Sequence, residues 1–336
     1  MVTEGSSCIS PLLPTTLLRI EGKDASKFLH RLSSNNIEKL ESGQGCEAFA
    51  CDAKGRVLWH WVIAKQAQAL MVSTVAGEGD NIYSHLDRFH FREELTLTNL
   101  SPQWRELVVW GRAIKDLDIP ADAVESLLNS PYANVSVELP EGSVLVQRFP
   151  KFGDYVLHLF AAETILQKIA DRLLNGGALS VTADELELRR IQMGWPIAGI
   201  DFDDKTLPQE LSRDAQAISF TKGCYIGQET VARLDALGQV QRKLIGFRFQ
   251  GILPQLPLAL TLDGKELAHI ASAVFSPALG CNIGLGFAKR SLFPNGKAFQ
   301  ADQVIRCGEI EYTTTLLPIV PVTMPPLPPS AAIENG

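Results

Sequence analysis

Long apolar runs are missing from this chain. No stretch reaches the roughly 18 to 20 residues that a membrane-crossing helix needs, so no membrane role is expected. Neither CxxC nor HExxH occurs, which removes common spacings for zinc and iron–sulfur ligands. Positive charge is in deficit as well. A formal net charge of −7 argues against a surface built to coat nucleic acid, and direct nucleic-acid binding is not expected. No glycine-rich fingerprint stands between a strand and a helix, which disfavours a dinucleotide fold. In the first residues, MVTEGSSCISPLLPTTLL, Glu4 stands where an export signal needs positive charge, and Pro11 and Pro14 interrupt the apolar part. Neither an export signal nor an Arg-rich transit peptide is expected. The expected location is the cytoplasm, or an organellar matrix or stroma if a leader has been removed.

What is present is ordinary globular material. The 336 residues are 46% hydrophobic and 21% charged, enough for two or three domains with a substantial core. The six cysteines are Cys8, Cys46, Cys51, Cys224, Cys281 and Cys307. A chain this long needs no disulfide framework, and a reducing compartment is the simpler reading. Cys46 and Cys51, five apart, are a weak metal signal, and no stable metal site is expected.

Patterning places elements along the chain. TTLLRIEG reads as a strand closed by Gly22. DASKFLHRL sets Ala25, Phe28, Leu29 and Leu32 on one helical face. In CDAKGRVLWHWVIA, Asp52 to Gly55 forms a turn, after which Trp59 and Trp61 share one strand face and His60 takes the other. GDNIYSHLDRF carries an Ile82–Leu86–Phe89 stripe. A second cycle follows, in which YVLHLF leads into a helix with Ile165, Leu166, Ile169, Leu173 and Leu174 inward, ended by Asn175 and Gly176. Strand, helix, strands, helix, twice over, indicates α+β layers. From about residue 240 the texture changes to short alternating segments between turns, consistent with a small β-barrel or sandwich. The Pro-rich end reads as an irregular tail.

The chemistry-bearing region begins with a helix over TADELELRRIQMG, its Arg189 and Arg190 placed against the C-terminal dipole. Asp201, Asp203 and Asp204 read as a solvated acidic turn rather than a cation site. Next comes TKGCYIGQETVARL. Its later half is a plain helix, with Glu229 and Arg233 spaced i,i+4, Val231 and Leu234 inward, and Gly238 as the stop. Its first half is unusual. Gly223 and Gly227 permit tight backbone geometry. Cys224, beside Lys222 and near a helix N-terminus, has two influences that favour the thiolate. Spacing alone leaves that cysteine open between a reactive thiol and a buried structural one. His30, His60, His85, His90, His158 and His269 are scattered and read as surface or satisfied core, so no hydrolytic triad is visible.

KGCYIGQE at 222–229, with ARL after it, resembles the signature of the YgfZ/Iba57 family, the folate-binding relatives of the glycine-cleavage T-protein. LLRIEGKDASKFLHRLSSNNIEKL, CDAKGRVL, RRIQMGWPIAGIDF and ALGCNIGLGFAKR are similar to other family segments, and the resemblance spans roughly residues 17 to 318. It implies a three-domain T-protein-like ring of α+β class, with two mixed α/β domains and a C-terminal β-barrel. The implied boundaries are 15–98 with 180–238 for a discontinuous folate-binding domain, 99–179 for the second domain, 239–318 for the barrel and 319–336 for the tail. It implies tetrahydrofolate or another reduced folate as cofactor. The implied role is an accessory one in iron–sulfur cluster assembly or repair, indirectly supporting enzymes that include tRNA-modifying ones. Partners would be iron–sulfur assembly factors or client enzymes. On this resemblance Cys224 is the functional thiol and Lys222 tunes it, while Arg190, Gln192, Gly223, Tyr225, Gly227 and Gln228 belong to the folate cavity. Two departures stand out. AFACDAKGRVLWHW lacks the arrangement that carries the T-protein's catalytic aspartate, and Asp52 is no secure equivalent of it. Gln192 also occupies the position where RIEAG-type sequences carry the pterin-binding glutamate. The alternatives are a folate-dependent aminomethyltransferase-like one-carbon transferase and a non-catalytic protein scaffold.

Overall fold

The computed structural model describes residues 6–238, 240–249, 251, 255–262, 265–292, 302–307 and 310–317. The expected tail at 319–336 lies outside them. The chain opens with β1 (Cys8–Ile9) and β2 (Leu13–Pro14), then β3 (Thr16–Glu21), α1 (Ala25–Arg31), β4 (Gly45–Cys51), β5 (Val57–Lys65), β6 (Ala69–Thr74), α2 (Gly79–Arg88) and β7 (Thr96–Asn99). It continues through β8 (Trp104–Trp110), a 3-10 segment at Gly111–Leu117, α3 (Ala121–Asn129), β9 (Asn134–Leu139), β10 (Gly142–Arg148), β11 (Val156–Ala162), α4 (Glu163–Asn175) and β12 (Leu179–Ser180). Then come α5 (Ala183–Gln192), a 3-10 turn at Pro208–Leu211, α6 (Asp214–Ala217) and α7 (Gln228–Leu237). The last strands are β13 (Arg242–Phe249), β14 (Leu258–Leu262), β15 (Lys265–Ser276), β16 (Cys281–Lys289), β17 (Asp302–Cys307) and β18 (Ile310–Leu317).

Two sheets carry the N-terminal two thirds. The first has five strands in the order β4-β5-β6-β3-β7, and the second has seven, β12-β1-β8-β11-β10-β9 with β2 also on β8. Alternation built them: in β3 the buried Leu18 and Ile20 join Phe28 and Leu29 of α1 and Ile82 and Leu86 of α2 in one core. In the second sheet Leu107, Val109, Leu157 and Leu159 pack on Leu166, Ile169 and Leu173 of α4. Leu174, expected inward, is exposed, because it falls one residue past the stripe that faces the sheet.

The expected α+β class holds, with helices packed on both sheets, and the expected fold is corrected in one respect, the barrel. Every pair in the first is antiparallel, and in the second only the two-residue β1–β12 pair is parallel. Short turns join most neighbouring strands, and hairpins dictate antiparallel pairing where parallel strands would need long crossovers. The C-terminal strands do not make an evenly closed barrel. They pair in the order β13-β16-β15-β14-β17-β18, with β18 returning to β13. Five of these seams carry between four and eight register pairs. Among the described residues, β14 meets β17 at the single pair Thr261–Arg306. The result is a rolled six-stranded sheet joined at one residue on its last seam.

The chain segment after β12 returns to the first sheet. Ser34 Oγ donates to Ala217 O, Ser219 N to Ser34 O, and Val57 N to Thr206 O. That return brings α5 between the two sheets and the rolled sheet, where Leu186 packs with Val108 and Ile191 with Leu285.

Candidate functional site

A cavity of about 300 Å³ lies where the two sheets face each other across α5. Its walls come from the β2 end, the inner faces of β5 and β6, Glu106 of β8, the Phe149–Phe152 turn, Phe160 of β11, and α5 with the Trp195–Ala198 segment after it. Phe149, Phe152, Phe160 and Trp195 supply aromatic surface, and Phe149 and Trp195 stand with ring centres 5.7 Å apart. Polar atoms come from His60, Glu106, Lys151, Glu187 and Arg190. Apolar walls with a few fixed polar groups suit a small planar molecule bearing hydrogen-bonding edges.

Arg190 is the candidate that the structure does place in this wall. α5 begins at Thr182, whose side chain accepts from Glu185 N while Glu185 closes a capping box, and this cap fixes the helix register. Arg190 is 1% exposed. It donates to Glu187 at 2.6 and 2.7 Å, to Asp201 Oδ2 at 2.7 Å and to Trp195 O at 2.6 Å. Its guanidinium is thus engaged by protein, and it braces the Trp195 wall. Asp201 is not part of a solvated turn. It is 3% exposed, and burial pushes its carboxyl up while Arg190 and Ser272 oppose the rise. The Arg190 charge draws it inward, where its second oxygen accepts from Ser272 Oγ of β15 at 2.6 Å.

Sequence reasoning missed the strongest polar feature, a pair of matched carboxylate–histidine units. Glu47 in β4 faces Val62 of β5, and His60 lies opposite Phe49. Glu106 in β8 faces Phe160 of β11, and His158 lies opposite Val108. In each sheet the histidine therefore sits two residues diagonally from the glutamate. The contacts repeat: His60 Nε2 to Glu47 Oε2 at 2.8 Å, and His158 Nδ1 to Glu106 Oε1 at 2.6 Å. Each carboxylate also has a cation, Arg213 just before α6 for Glu47 and Lys151 in the turn after β10 for Glu106. Burial works against both charges, yet these partners hold both carboxyls down at about 2. Burial lowers both histidines. His60 and His158 are satisfied core residues, as the sequence indicated, and their rings pack on Trp195 and Phe149. The available signal was a single carboxylate inside an otherwise apolar strand, GCEAFAC and WRELVVW.

The KGCYIGQ loop lies elsewhere. Lys222, Gly223, Cys224, Tyr225, Gly227 and Gln228 do not line the cavity, nor does the half-buried Gln192. Lys222 is buried and donates to the carbonyls of His30 and Ser33 at the end of α1, the position where a helix dipole favours a cation. Burial lowers its ammonium to about 8. Its Nζ also lies 4.8 Å from the Tyr225 ring centre, and Tyr225 is buried, which raises its phenol. Cys224 is exposed, so of the two readings left open by spacing the buried structural thiol is overturned. The structure brings up a histidine that chain order hid: a Cβ at Gly223 would stand 3.9 Å from His30 Nε2. Gly227, at φ +84°, abuts the β4–β5 hairpin so closely that a Cβ would lie 2.5 Å from Asp52 O and 2.8 Å from the Gly55 Cα. Gln228 N donates to Tyr225 O as α7 begins. Asp52 spends one oxygen on the amides of Lys54 and Arg56 within that hairpin and is absent from the cavity wall. No ion pair joins Glu229 to Arg233 among the described residues.

Comparison with known proteins gives two family matches. Residues 15–220 match the GCVT N-terminal domain, and residues 242–320 match the glycine cleavage T-protein C-terminal barrel domain. The chain is 26% identical over 299 residues to the mitochondrial iron-sulfur cluster assembly factor IBA57 homolog of Neurospora crassa, covering 86% of this chain and 62% of that protein. It is 25% identical over 275 residues to an aminomethyltransferase of Caldanaerobacter subterraneus subsp. tengcongensis, covering 79% of this chain and 72% of the relative. In fold it is similar to the crystal structure of the glycine cleavage system aminomethyltransferase T from Bartonella henselae. There the TM-score is 0.79 at 16% identity, over 96% of this chain and 88% of the other. At that identity the likeness is one of fold alone.

Proposed function

The chain belongs to the glycine-cleavage T-protein family, and on that premise we propose that it binds a reduced folate in the cavity between its two sheets and handles the one-carbon unit carried there, as an aminomethyltransferase-like one-carbon transferase. The observation that carries this reading is the cavity itself: about 300 Å³, walled by Phe149, Phe152, Phe160 and Trp195, with a buried carboxylate at Glu106. Residues and cofactor fit on that ground. Aromatic rings offer faces to a flat bicycle, the volume is at the lower end for small-molecule sites, and a carboxylate complements a heterocycle that presents adjacent N–H donors. When bound, the folate would supply the one-carbon carrier chemistry. The protein's part is to seat the ring, exclude water through the aromatic wall, and fix orientation through Arg190-braced Trp195.

A second reading, an accessory role in iron–sulfur cluster assembly or repair, is favoured by the exposed Cys224 in a loop that the cavity does not use and by the Neurospora match. Assembly factors or client enzymes would then be the partners. Titrating the purified chain with tetrahydrofolate while following tryptophan emission tests the shared premise. Saturable quenching is expected, and its absence overturns the folate reading. Turnover of an aminomethylated donor that survives Cys224→Ala supports the transferase. No turnover, with loss of iron–sulfur enzyme activities in cells carrying only Cys224→Ala, selects the accessory role.

A further inference from the structure

The two carboxylate–histidine units match in register but differ in how fully their oxygens are used. Glu47 receives four donors: His60 Nε2, the Arg213 Nε and Nη2, and the Tyr132 hydroxyl. A carboxylate offers about four lone-pair sites, so Glu47 is saturated, and it does not line the cavity. Glu106 receives two, His158 at 2.6 Å on one oxygen and Lys151 at a long 3.5 Å on the other. It is 3% exposed and it does line the cavity. A buried charge with unused acceptor sites is costly unless something completes its hydrogen bonding. What completes it must come from the cavity and must donate.

Resting on the folate reading, we propose that Glu106 is the acceptor for the ligand's amidine edge, taking hydrogen bonds from the adjacent ring N–H and 2-amino group of the pterin. Gln192, at the position that the family resemblance assigns to that contact, is not in the cavity wall. The lining carboxylate of α5, Glu187, is held through both oxygens by Arg190, which leaves Glu106 of the second sheet as the carboxylate open to the ligand. His158 and Lys151 act as positioning residues that keep Glu106 ionised and aimed inward. Phe149, with its ring centre 3.6 Å from that of His158, ties the aromatic wall to the same unit. The specificity that follows is for donor-bearing heterocycles, and a ring lacking the exocyclic amine is discriminated against.

The test uses the full chain and two ligands, tetrahydrofolate and its 2-desamino analogue, with affinities read by calorimetry. The wild type is expected to bind the analogue on the order of 10- to 100-fold more weakly, the range for hydrogen bonds to a charged group. Glu106→Gln is expected to lose a similar factor for tetrahydrofolate and to bind the two ligands nearly alike, as a double-mutant cycle requires of directly interacting groups. Equal affinity of wild type and Glu106→Gln for tetrahydrofolate overturns the proposal while leaving the folate reading intact. Should Glu106→Gln fail to fold, the wild type decides alone: equal affinity for the two ligands overturns the assignment. No saturable binding of tetrahydrofolate by the wild type removes the folate reading and this inference together.

Discussion

Lys222 illustrates how a residue can look functional for structural reasons. In the sequence it stands next to a cysteine, and that adjacency suggests thiol tuning. In the structure its ammonium donates to the carbonyls of His30 in the last turn of α1 and of Ser33 just beyond it, in chain made far earlier. Lys222→Met keeps the stem but leaves those buried carbonyls without a charged donor. A loss of about 2 to 4 kcal/mol is expected from hydrogen bonds of this kind, read as a lowered urea midpoint. An unchanged midpoint would show that water replaces the ammonium at no cost. The sequence could not reveal this role because nothing local marks a lysine whose acceptors lie on another helix. Arg213 was invisible for the same reason. His60 was different: alternation with Trp59 and Trp61 placed it on the opposite strand face, and that face does meet the cavity.

At the scale of elements, helices and hairpins were legible wherever periodicity met a stop signal. α1, α2 and the Asp52–Gly55 turn follow directly from stripes and turn chemistry. The docking of one element on another was not legible, and Gly227 shows why. Its positive φ could be anticipated as a glycine's latitude, but its contact with the β4–β5 hairpin depends on Asp52 and Gly55, far earlier in the chain. Gly227→Ala forces an L-residue into the left-handed region, worth about 1 to 2 kcal/mol. It also drives a methyl against the Asp52 carbonyl and the Gly55 backbone. The expected outcome is release of the α7 N-terminus from the hairpin, seen as faster amide exchange at Asp52, Gly55 and Gln228. Unchanged exchange together with a small change in the melting temperature would contradict that docking.

Across the whole molecule, the α+β class and the change of texture near residue 240 were readable, whereas the strand order and, among the described residues, the single-pair seam between β14 and β17 were not. Both depend on which strands meet, and that is fixed by long-range packing rather than by local alternation. A tertiary setting also governs Asp214, at the start of α6. Burial raises its carboxyl to about 6, with Lys243 of β13 opposing and Asp235 adding to the rise, and its Oδ1 has no hydrogen-bond partner. The folded chain holds this proton more tightly than the unfolded one. Its contribution to stability is therefore full below the ordinary value of 3.8 and is lost as pH rises through about 6. Asp214→Asn removes that dependence and is expected to raise the melting temperature at pH 7 relative to the parent. A parent and variant whose difference stays constant from pH 4 to 7 would rule this out.

The pairing of Glu47 with Arg213 also sets a schedule. The two are separated by 166 residues, and at 5 to 20 residues per second a ribosome takes roughly 8 to 33 seconds to make the intervening chain. For that interval Glu47, on the edge strand β4, has His60 beside it but lacks its guanidinium partner. Burying that carboxylate without a cation is costly, so closure over Glu47 is expected only after β8 to β12 and α5 have been made. On that ordering the burial of Glu47 in β4 is expected to be a late step, timed by the arrival of Arg213 rather than by the strands of its own sheet.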